Sequence, residues 1–552
     1  MTPSRWAVAA ALAALVVLGF YTLPGHTFLA SDTQIYIPIL ERFWDPSLYT
    51  ADSVATRPHV TYSIYDEAAL LLRRVTGADS FEGVLVAQQL ATRFCGLLGV
   101  YLLARAANLP PLLALLAPVL FGMGATVAGP AVLTLEYEPV PRGNAICLVV
   151  LAVGFAAHRR LIAAAALLGV AWLYHPPTTW PFVLVLALLL LADARRERVG
   201  ALRPLLLFSG FVALLFVLSR IQMGETEKQA LFGRIDETLE KLQRLRGAYN
   251  WVSLWRDAYV RQHEFLALFI AAAVLRWRRY FTRELLWLSI GLPLVGILSL
   301  PLSYSLLEGL HWSLIPAFQP ARASAFLFVF AVVLSAVGGV LAAREGRVWE
   351  AAAWFAIGFA VPAQTPVMDV LLPDLRSPLI AKRWCIVAAA AMLTAWGVHA
   401  YARGQRLGAG LMLAALLPYW LLPTWGEVVN YRVVDTADVR EVSSWARQNT
   451  DKNAVFLFAD DGKDPAASIF RARSLRAVYV DWKGGGQVNL LKDFALEWWE
   501  RWSQVMESGY AHERVPDYAA RGIDYLVLSK KSRMQDRAAL FENSRFLVYR
   551  IR

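Results

Sequence analysis

Apolar stretches close to the length of a membrane-spanning helix recur along this chain from residue 6 to about residue 425. A helix needs roughly 20 predominantly apolar residues to cross a bilayer, and 57% of the 552 residues are hydrophobic. This pattern excludes an ordinary soluble protein and predicts a polytopic membrane protein. The roughly thirteen candidate spans are 6–24, 82–104, 112–134, 144–157, 161–174, 180–192, 204–221, 263–275, 284–301, 323–341, 349–365, 384–400 and 409–425.

The composition changes after the last apolar stretch. From about Tyr431 to Arg552, charged residues are mixed with short β-branched and aromatic runs, which are typical of strands. We therefore expect a mainly α-helical transmembrane domain over 1–428, with an outer loop at 25–80, and a soluble α/β domain over 429–552. In that second domain the patterns predict helices over 438–450, 488–508 and 533–542, and strands over 454–460, 476–482, 524–530 and 546–551.

Arginine is concentrated in every second connection between the candidate spans. The intervening connections are longer and richer in proline, histidine, aromatic and acidic residues. The positive-inside rule then places the N-terminus in the cytoplasm and the C-terminal domain outside, although Lys382 and Arg383 fall on the outer side. We expect a multi-pass membrane protein. Its first apolar stretch lacks a convincing cleavage site before Asp32, so it is expected to be retained.

The net charge of +11 does not predict nucleic-acid binding, because many of the arginines lie in short clusters between spans. The expected partner is the lipid bilayer, and nucleic acid is excluded. The three cysteines, Cys95, Cys147 and Cys385, are far apart in or beside apolar stretches, and no CxxC spacing occurs. The sequence therefore predicts neither a zinc site nor a disulfide framework, assigns no metal and identifies no cofactor.

The first outer segment places an acid immediately after the first span. Asp32 lies in SDTQIYIPILERFWDP, together with aromatic residues such as Tyr36. One interpretation is that Asp32 only caps the helix that begins after it, since Ser and Asp favour that position. The other is that Asp32 is a general base that activates an acceptor hydroxyl or amine. The two are about equally supported by the residues alone.

A second outer segment, EYEPVPRGNA, combines Glu136, Glu138 and Arg142 with two prolines that prevent a helix. Arg142 at a membrane edge either extends to lipid headgroups or binds a lipid phosphate, for which a planar guanidinium is suited. In WLYHPPTTWPF, His175 lies between two spans. A lone histidine is more often structural than catalytic, but a polar group at the outer end of two helices is also well placed to bind a phosphate or a sugar.

Two further outer segments precede apolar stretches. GLHWSLIPAFQPARASAF carries His311, Gln319 and Arg322, and Arg322 repeats the position of the arginine in EPVPRG. Residues 224–255 carry leucine and isoleucine at helical spacing, which predicts an amphipathic helix on the membrane surface or over a cavity.

The C-terminal domain carries a glycine-rich segment, DWKGGGQ, directly after a predicted strand. Its spacing does not fit a nucleotide-binding loop. A tight turn is the simpler interpretation. The alternative is that Asp481 and Lys483 close over a site in the membrane domain, with Arg471 and Arg473 beside it.

Together these segments resemble the C-type (GT-C) fold of membrane glycosyltransferases, such as bacterial oligosaccharyltransferases, protein O-mannosyltransferases and aminoarabinose transferases. In that arrangement an acid follows the first span, many spans come next, and an outer soluble domain ends the chain. The stretches SDTQIYIPILERFWDPSLYTAD, EPVPRGNA, YHPPT, QPARA and FRARSLRAVYVDWKGGG are more closely similar to a family of uncharacterised bacterial membrane proteins with a GT-C-like core. The resemblance covers most of the chain.

The resemblance implies a glycosyltransferase that uses a polyprenyl-phosphate-linked sugar donor on the extracytoplasmic face, with an envelope glycan, lipid or protein as acceptor. Asp32 matches the first-loop acid and takes the role of general base, and Arg142 and Arg322 become candidate phosphate contacts. The other expected substrate contacts are Tyr36, Glu138, His175, His311, Gln319 and Lys483.

The chain also departs from its relatives. No second acid follows Asp32 directly, and EWWERW at 497–502 is not the WWDYG motif of oligosaccharyltransferases, so protein N-glycosylation is not expected. Two other hypotheses stay open. A transporter or flippase for a lipid-linked glycan would place ionisable groups near the bilayer midplane. A non-catalytic scaffold would keep the fold without the chemistry.

Overall fold

A computed structural model describes residues 4–57, 62–197, 202–222, 232–364, 367–371 and 377–552. The helices of the first part of the chain are α1 (Arg5–Tyr21), α2 (Thr33–Trp44), α3 (Ser53–Thr56), α4 (Tyr65–Thr76), α5 (Phe81–Ala106), α6 (Pro111–Ala114), α7 (Leu116–Phe121), α8 (Pro141–Ala157), α9 (Leu161–Tyr174), α10 (Pro176–Glu197), α11 (Arg203–Gln222), α12 (Glu237–Arg246), α13 (Asp257–Trp277), α14 (Arg283–Tyr304), α15 (Ile315–Phe318), α16 (Ala325–Arg344), α17 (Val348–Ala360), α18 (Val367–Leu371), α19 (Pro378–Ala402), α20 (Arg406–Met412) and α21 (Pro418–Thr424).

The apolar helices of this part make the chain a multi-pass membrane protein. Within the described residues, eight helical segments are long and apolar enough to cross a membrane, and five shorter apolar helices accompany them. Each of the predicted spans overlaps one of these helical segments. The segment from Ile315 to Arg344 has its most apolar stretch completely buried inside the protein, so it forms the centre of the bundle rather than its lipid-facing surface.

The predicted span over 112–134 is wrong in its second half. The helix ends at Phe121 and is followed by a short antiparallel hairpin, β1 (Thr126–Val127) and β2 (Val132–Leu133). Gly124 and Gly129 have φ angles of +68° and +98°. Glycine adopts these angles without steric cost, so the two glycines allow the chain to leave the helix and turn.

The predicted amphipathic helix over 224–255 is shorter than expected. Residues 224–231 lie outside the described residues, and the helix extends only over α12. The Asp236 side chain accepts a hydrogen bond from the backbone N–H of Leu239 and so caps the start of α12. Gly247 follows its end, where a side chain would collide with Asn489 of the C-terminal domain. This close contact favours glycine at the position that follows the helix.

The C-terminal domain is a five-stranded sheet covered by helices on both faces. Its elements are α22 (Ala437–Asn449), β3 (Val455–Phe458), α23 (Ala466–Ser474), β4 (Ala477–Val478), α24 (Lys492–Trp502), α25 (Val515–Ala520), β5 (Tyr525–Ser529), β6 (Phe541–Glu542) and β7 (Phe546–Arg550). The strand order is β4-β3-β5-β7-β6, in which β4, β3 and β5 are parallel and β7 is antiparallel to its neighbours.

Side chains of β3 alternate between the two faces of this sheet, as the period of a strand requires. Phe456 and Phe458 pack in one apolar cluster with α22 and α23, and Val455 and Leu457 pack in a second with α24. Helix α2 contributes to both clusters. The first outer segment therefore packs against the C-terminal domain and forms part of its apolar core.

The four predicted strands and the helix predicted over 438–450 are confirmed within a few residues. The helix predicted over 533–542 is wrong. Its last residues form β6, whose backbone pairs with β7. The short amphipathic pattern does not form a helix at its end, because those residues pair with β7, a contact that the local sequence does not specify.

Candidate active site

A buried carboxylate fixes the loop that follows α1. Oε1 of Glu138 accepts hydrogen bonds from the backbone N–H groups of Ala30 and Ser31, both at 2.7 Å, and from the Thr33 hydroxyl at 2.8 Å. Burial, and then the negative charge of Asp32, raise the pKa of Glu138. The described hydrogen bonds of Glu138 thus serve the loop, and its place in the structure is that of a support for Asp32.

Asp32 stands at the start of α2, yet its side chain makes no capping hydrogen bond there. One carboxylate oxygen instead accepts a hydrogen bond from Arg142 and the other from Nζ of Lys483, at 2.7 Å. The interpretation of Asp32 as a helix cap is therefore wrong. Both partners are cations that come from distant parts of the chain.

These two cations control the ionisation of Asp32. Burial alone would raise the pKa of the carboxyl, but the positive charges of Lys483 and Arg142, together with their hydrogen bonds, lower it well below its ordinary value. About a quarter of the side chain is exposed, at 26%. Asp32 is consequently an ionised, accessible carboxylate at neutral pH.

The guanidinium of Arg142 joins two acids. Its Nε lies 2.7 Å from Oε1 of Glu136, and its Nη1 donates to Asp32. Arg142 lies in the first turn of α8, directly after Pro141, a residue suited to that position of a helix. The sequence alone assigns no separate role to Glu136, which lies six residues before Arg142. The structure makes it the group that orients Arg142.

Lys483 reaches this site from the C-terminal domain. Its loop is held by Asp481, whose carboxylate accepts a hydrogen bond from the backbone N–H of Gly484 at 2.8 Å and pairs with Arg471. Nε of Arg471 in turn lies 2.6 Å from Asp52 of the outer segment. All three of these charged side chains are almost fully buried. The trio ties the loop that carries Lys483 to the segment that carries Asp32.

Tyr36 and Arg322 complete the group around Asp32. Burial, followed by the charge of Asp32, raises the pKa of the Tyr36 phenol, and the charges of Arg142 and Arg322 oppose that rise. These interactions place Tyr36 within electrostatic reach of all three. Arg322 also lies 5.6 Å from the ring of Tyr249.

The guanidinium of Arg322 has no hydrogen bond or ion pair with any residue that the structure describes, and its Nε is buried without a partner. Gln319 and Arg322 line a narrow crevice beside Tyr249. A buried polar group without a partner is costly. Arg322 is therefore a cation positioned next to Asp32 and Arg142 with its hydrogen-bonding capacity unused.

The two predicted histidines lie in local contacts. Nδ1 of His175 is 2.8 Å from the hydroxyl of Thr178, in the first turn of α10. Nε2 of His311 is 3.1 Å from the carboxylate of Glu240 on α12. No described contact joins His311 to Asp32, so the structure does not bring that residue into the group around the acid.

Asp66 is a second acid near Tyr36. It lies in the first turn of α4, is partly buried, and forms no hydrogen bond or ion pair with the described part of the chain. Burial, and then the charge of Glu67, raise its pKa to about 7. In the sequence this acid belongs to YDE at 65–67, and adjacent acids at the start of a helix are usually solvated. Across the described ranges, no three His, Cys, Asp or Glu side chains are grouped so as to hold a metal ion.

Solved structures with similar folds are membrane glycosyltransferases of the GT-C class. ArnT from Cupriavidus metallidurans in the apo state matches 98% of this chain and 97% of its own at 14% identity, with a TM-score of 0.51. The same protein bound to undecaprenyl phosphate matches at 14% identity over 99% and 98% of the two chains, with a TM-score of 0.49. Archaeal oligosaccharyltransferase AglB from Archaeoglobus fulgidus, in complex with an inhibitory peptide and a dolichol-phosphate, matches at 12% identity over 95% and 69%, with a TM-score of 0.39.

At such identities a likeness concerns the fold alone, and the match to apo ArnT carries it. The expected fold class, a GT-C-like helical membrane domain followed by a small α/β region, is confirmed. A family model described as a domain of unknown function, DUF6798, matches residues 437–505. This match is confined to part of the C-terminal domain. Comparison with curated proteins gives no match. The closer resemblance to one family of bacterial membrane proteins stays a prediction.

Proposed function

We propose that this protein is a GT-C-type glycosyltransferase of the bacterial inner membrane. It transfers a sugar from a polyprenyl-phosphate-linked donor to an envelope glycan, lipid or protein on the extracytoplasmic face. One observation carries the proposal. Asp32, an ionised and partly exposed acid, lies between Arg142 and Lys483 and beside Arg322, whose guanidinium has no hydrogen-bond or ion-pair partner among the described residues.

The cations suit a phosphate that is anchored in lipid. A guanidinium binds phosphate oxygens in a planar, often bidentate manner, and lysine acts as a point charge. Arg142 and Arg322 lie at the ends of apolar helices, so a donor with its polyprenyl chain in the bilayer presents its phosphate at this level. The N–H groups of Arg322, which make no described hydrogen bond, can donate directly to such a phosphate. Gln319, in the same crevice, is the neutral side chain available to the sugar.

The proposed reaction is a displacement at the anomeric carbon of the donor sugar. The acceptor hydroxyl forms the new bond to that carbon while its proton passes to the Asp32 carboxylate. The bond between the anomeric carbon and the phosphate oxygen breaks, and polyprenyl phosphate departs with the bonding electrons. Asp32 then returns the proton to solvent or to the departing phosphate. Inversion at the anomeric carbon follows from this single displacement.

Donor binding also prepares the base. In the resting arrangement Arg142 and Lys483 hold the Asp32 carboxylate and make it weakly basic. An anionic phosphate competes for the same two cations. As their charge is shared with the phosphate, the proton affinity of Asp32 rises toward the range in which a general base is effective.

A comparison of envelope glycans and polyprenyl-linked sugars by mass spectrometry tests the proposal. The strains are a deletion and the deletion complemented with wild type, Asp32→Asn or Asp45→Asn at equal protein levels. Asp45 is a matched control, because it is an exposed acid of the same outer segment that contacts Ser47 and Lys452 instead of the site. We expect wild type and Asp45→Asn to restore a missing glycan, and Asp32→Asn to fail.

Each outcome leads to a different conclusion. If the deletion loses a glycan that Asp32→Asn does not restore, the added mass in wild type identifies the sugar. If Asp32→Asn restores the glycan fully, Asp32 is not the base and the catalytic proposal is refuted. Accumulation of the same lipid-linked sugar on the cytoplasmic face alone, shown by its protection from added glycosidase, would identify a transporter in place of a transferase.

A further inference from the structure

A cleft of about 680 Å³ lies in the C-terminal domain, where Thr50 of the outer segment meets the sheet. It opens at the amino ends of β3 and β5, whereas Lys483 follows the carboxyl end of β4. The cleft is lined by none of the residues that surround Asp32. Its volume is within the range of roughly 300–1,000 Å³ that is typical of small-molecule sites. It is therefore a separate candidate binding site.

Hydrogen-bond donors in this cleft are available to a ligand. Arg550 uses only its Nε, which donates to the carbonyl of Arg552, and Arg521 donates through one nitrogen to Gln504. Nδ2 of Asn453 donates to no residue that the structure describes. Each guanidinium carries five N–H groups, so most of these donors remain unused within the described chain.

Acceptors and aromatic rings stand beside these donors. Asp451 accepts one hydrogen bond, from the backbone N–H of Asn453, and its second oxygen has no partner within the described ranges. Asp524 uses one oxygen for the N–H of Val455, and its other oxygen lies 3.9 Å from Nε of Arg552. The rings of Tyr479 and Tyr525 are half-buried in the lining, the latter stacked on Phe456 at 4.8 Å between centroids. Tyrosine combines an apolar ring with a polar end and loses little conformational entropy when it binds.

We propose that this cleft binds an oligosaccharide. Sugar hydroxyls both donate and accept hydrogen bonds, and their ring C–H faces pack on aromatic side chains. The mixture of arginine, asparagine, aspartate and tyrosine supplies all three contacts. Four arginines and two aspartates line the cleft, but Arg501 pairs with Glu497 and Arg552 with Asp524. A simple anion would therefore meet only Arg521 and Arg550, with the charge of Asp451 opposing it. An apolar ligand would leave the charged groups unpaired and desolvated.

The inference goes beyond the proposed function and rests on it only in one respect. If the protein is a glycosyltransferase, the bound oligosaccharide is the growing or receiving glycan, and the acceptor class is a saccharide rather than a lipid or a protein. Binding in the cleft does not itself require Asp32. The binding site and the transfer chemistry are therefore separable by experiment.

The test is saturation-transfer NMR and direct titration on the full chain in lipid nanodiscs. The probes are a neutral hexasaccharide, a hexasaccharide that contains uronic acids, and inorganic phosphate. The variants are wild type, Asp451→Asn/Arg521→Gln, Asp32→Asn and Arg440→Gln. Arg440 is a matched control, because it is an exposed arginine of the same domain that does not line the cleft.

We expect wild type, Asp32→Asn and Arg440→Gln to bind at least one hexasaccharide equally. The cleft variant should lose roughly tenfold in affinity, as the loss of one or two hydrogen bonds predicts. Failure of wild type to bind either hexasaccharide refutes the proposal. So does binding of inorganic phosphate that displaces the saccharide, which would assign the cleft to anions. Binding that survives unchanged in the cleft variant places the saccharide elsewhere and also refutes it. Loss of transfer in Asp32→Asn with intact binding separates failure of the chemistry from failure of this inference.

Discussion

Replacing Arg471 with methionine should strongly destabilise the contact between the outer segment and the C-terminal domain. The guanidinium pairs with Asp52 and Asp481, and the side chains of all three residues are at most 1% exposed. Methionine is similar in length and apolar, so Arg471→Met removes the charge without leaving a large cavity. The two carboxylates then lose the cation that compensates their burial.

The hydrogen bonds that remain set the size of the effect. Asp52 keeps the backbone N–H groups of Val54, Ala55 and Val478 at 2.9–3.0 Å. Asp481 keeps only the N–H of Gly484 at 2.8 Å. Asp481 is thus the less compensated acid. Removing one partner of a buried ion pair costs about 3–5 kcal/mol, and we expect the free energy of unfolding to fall by about that amount at pH 8.

Chemical unfolding in detergent, followed by tryptophan fluorescence, to which Trp498 and Trp502 of the C-terminal domain contribute, measures the effect. Arg473→Met is the matched control, because Arg473 lies on the same helix, is 31% exposed and pairs with Asp435. It should cost less than Arg471→Met, because its guanidinium is partly solvated. Equal losses in the two variants would refute the reasoning.

Two other predictions follow from unpaired groups at the site. Arg322→Gln should raise the KM for a lipid-linked donor at least tenfold in a transfer assay. The unfolding temperature in detergent should stay unchanged, because the guanidinium makes no described hydrogen bond. A fall in unfolding temperature with unchanged KM would contradict this prediction. Asp66 has a folded-state pKa of about 7, above the ordinary value of 3.8, so its contribution to stability falls as pH rises from about 4 to 7. Three pKa units correspond to about 4 kcal/mol, and partial exposure lowers this value. Asp66→Asn should therefore stabilise the protein by roughly 2 kcal/mol at pH 8 and by nothing at pH 4. Equal effects at both pH values in denaturant titrations would count against this prediction.

The membrane domain was predictable from sequence because the bilayer imposes a length and an apolar composition on each helix. The same constraint explains the error over 112–134. That stretch is apolar throughout, so composition does not distinguish a spanning helix from a buried hairpin. Only the positive φ angles at Gly124 and Gly129, which composition does not reveal, separate the two.

The candidate site was predictable in its residue types but not in its pairings. Arg142 and Arg322 stand out because most other arginines between the spans lie in the opposite set of connections, and Asp32 stands out because an acid follows the first span closely. Their partners are distant in the chain: Lys483 lies 451 residues from Asp32. The local signal at Asp32 is that of a helix cap, but its side chain accepts from Arg142 and Lys483 instead, and Glu138 holds the neighbouring N–H groups of Ser31 and Thr33. Long-range contacts of this kind follow from packing and leave no local pattern.

The charges around Asp32 suit the proposed transfer in both its initial and final states. Three cations, from Arg142, Arg322 and Lys483, face three acids, Asp32, Glu136 and Glu138. The hydrogen bonds of Glu138 serve the loop, but its charge interacts with those of Asp32 and Lys483. The numbers of cations and acids in the resting group are therefore equal.

A donor phosphodiester adds one negative charge to the group. After transfer the departing phosphate monoester carries up to two negative charges, but Asp32 has gained a proton and lost its own. The total charge of the group is therefore the same before and after the transfer step. Removing the charge of Glu136 would upset this balance in one direction, because it leaves an extra positive charge that binds the dianionic product more strongly than the monoanionic donor. Glu136→Gln should therefore slow product release more than it weakens donor binding, and equal effects on both would argue against this balance.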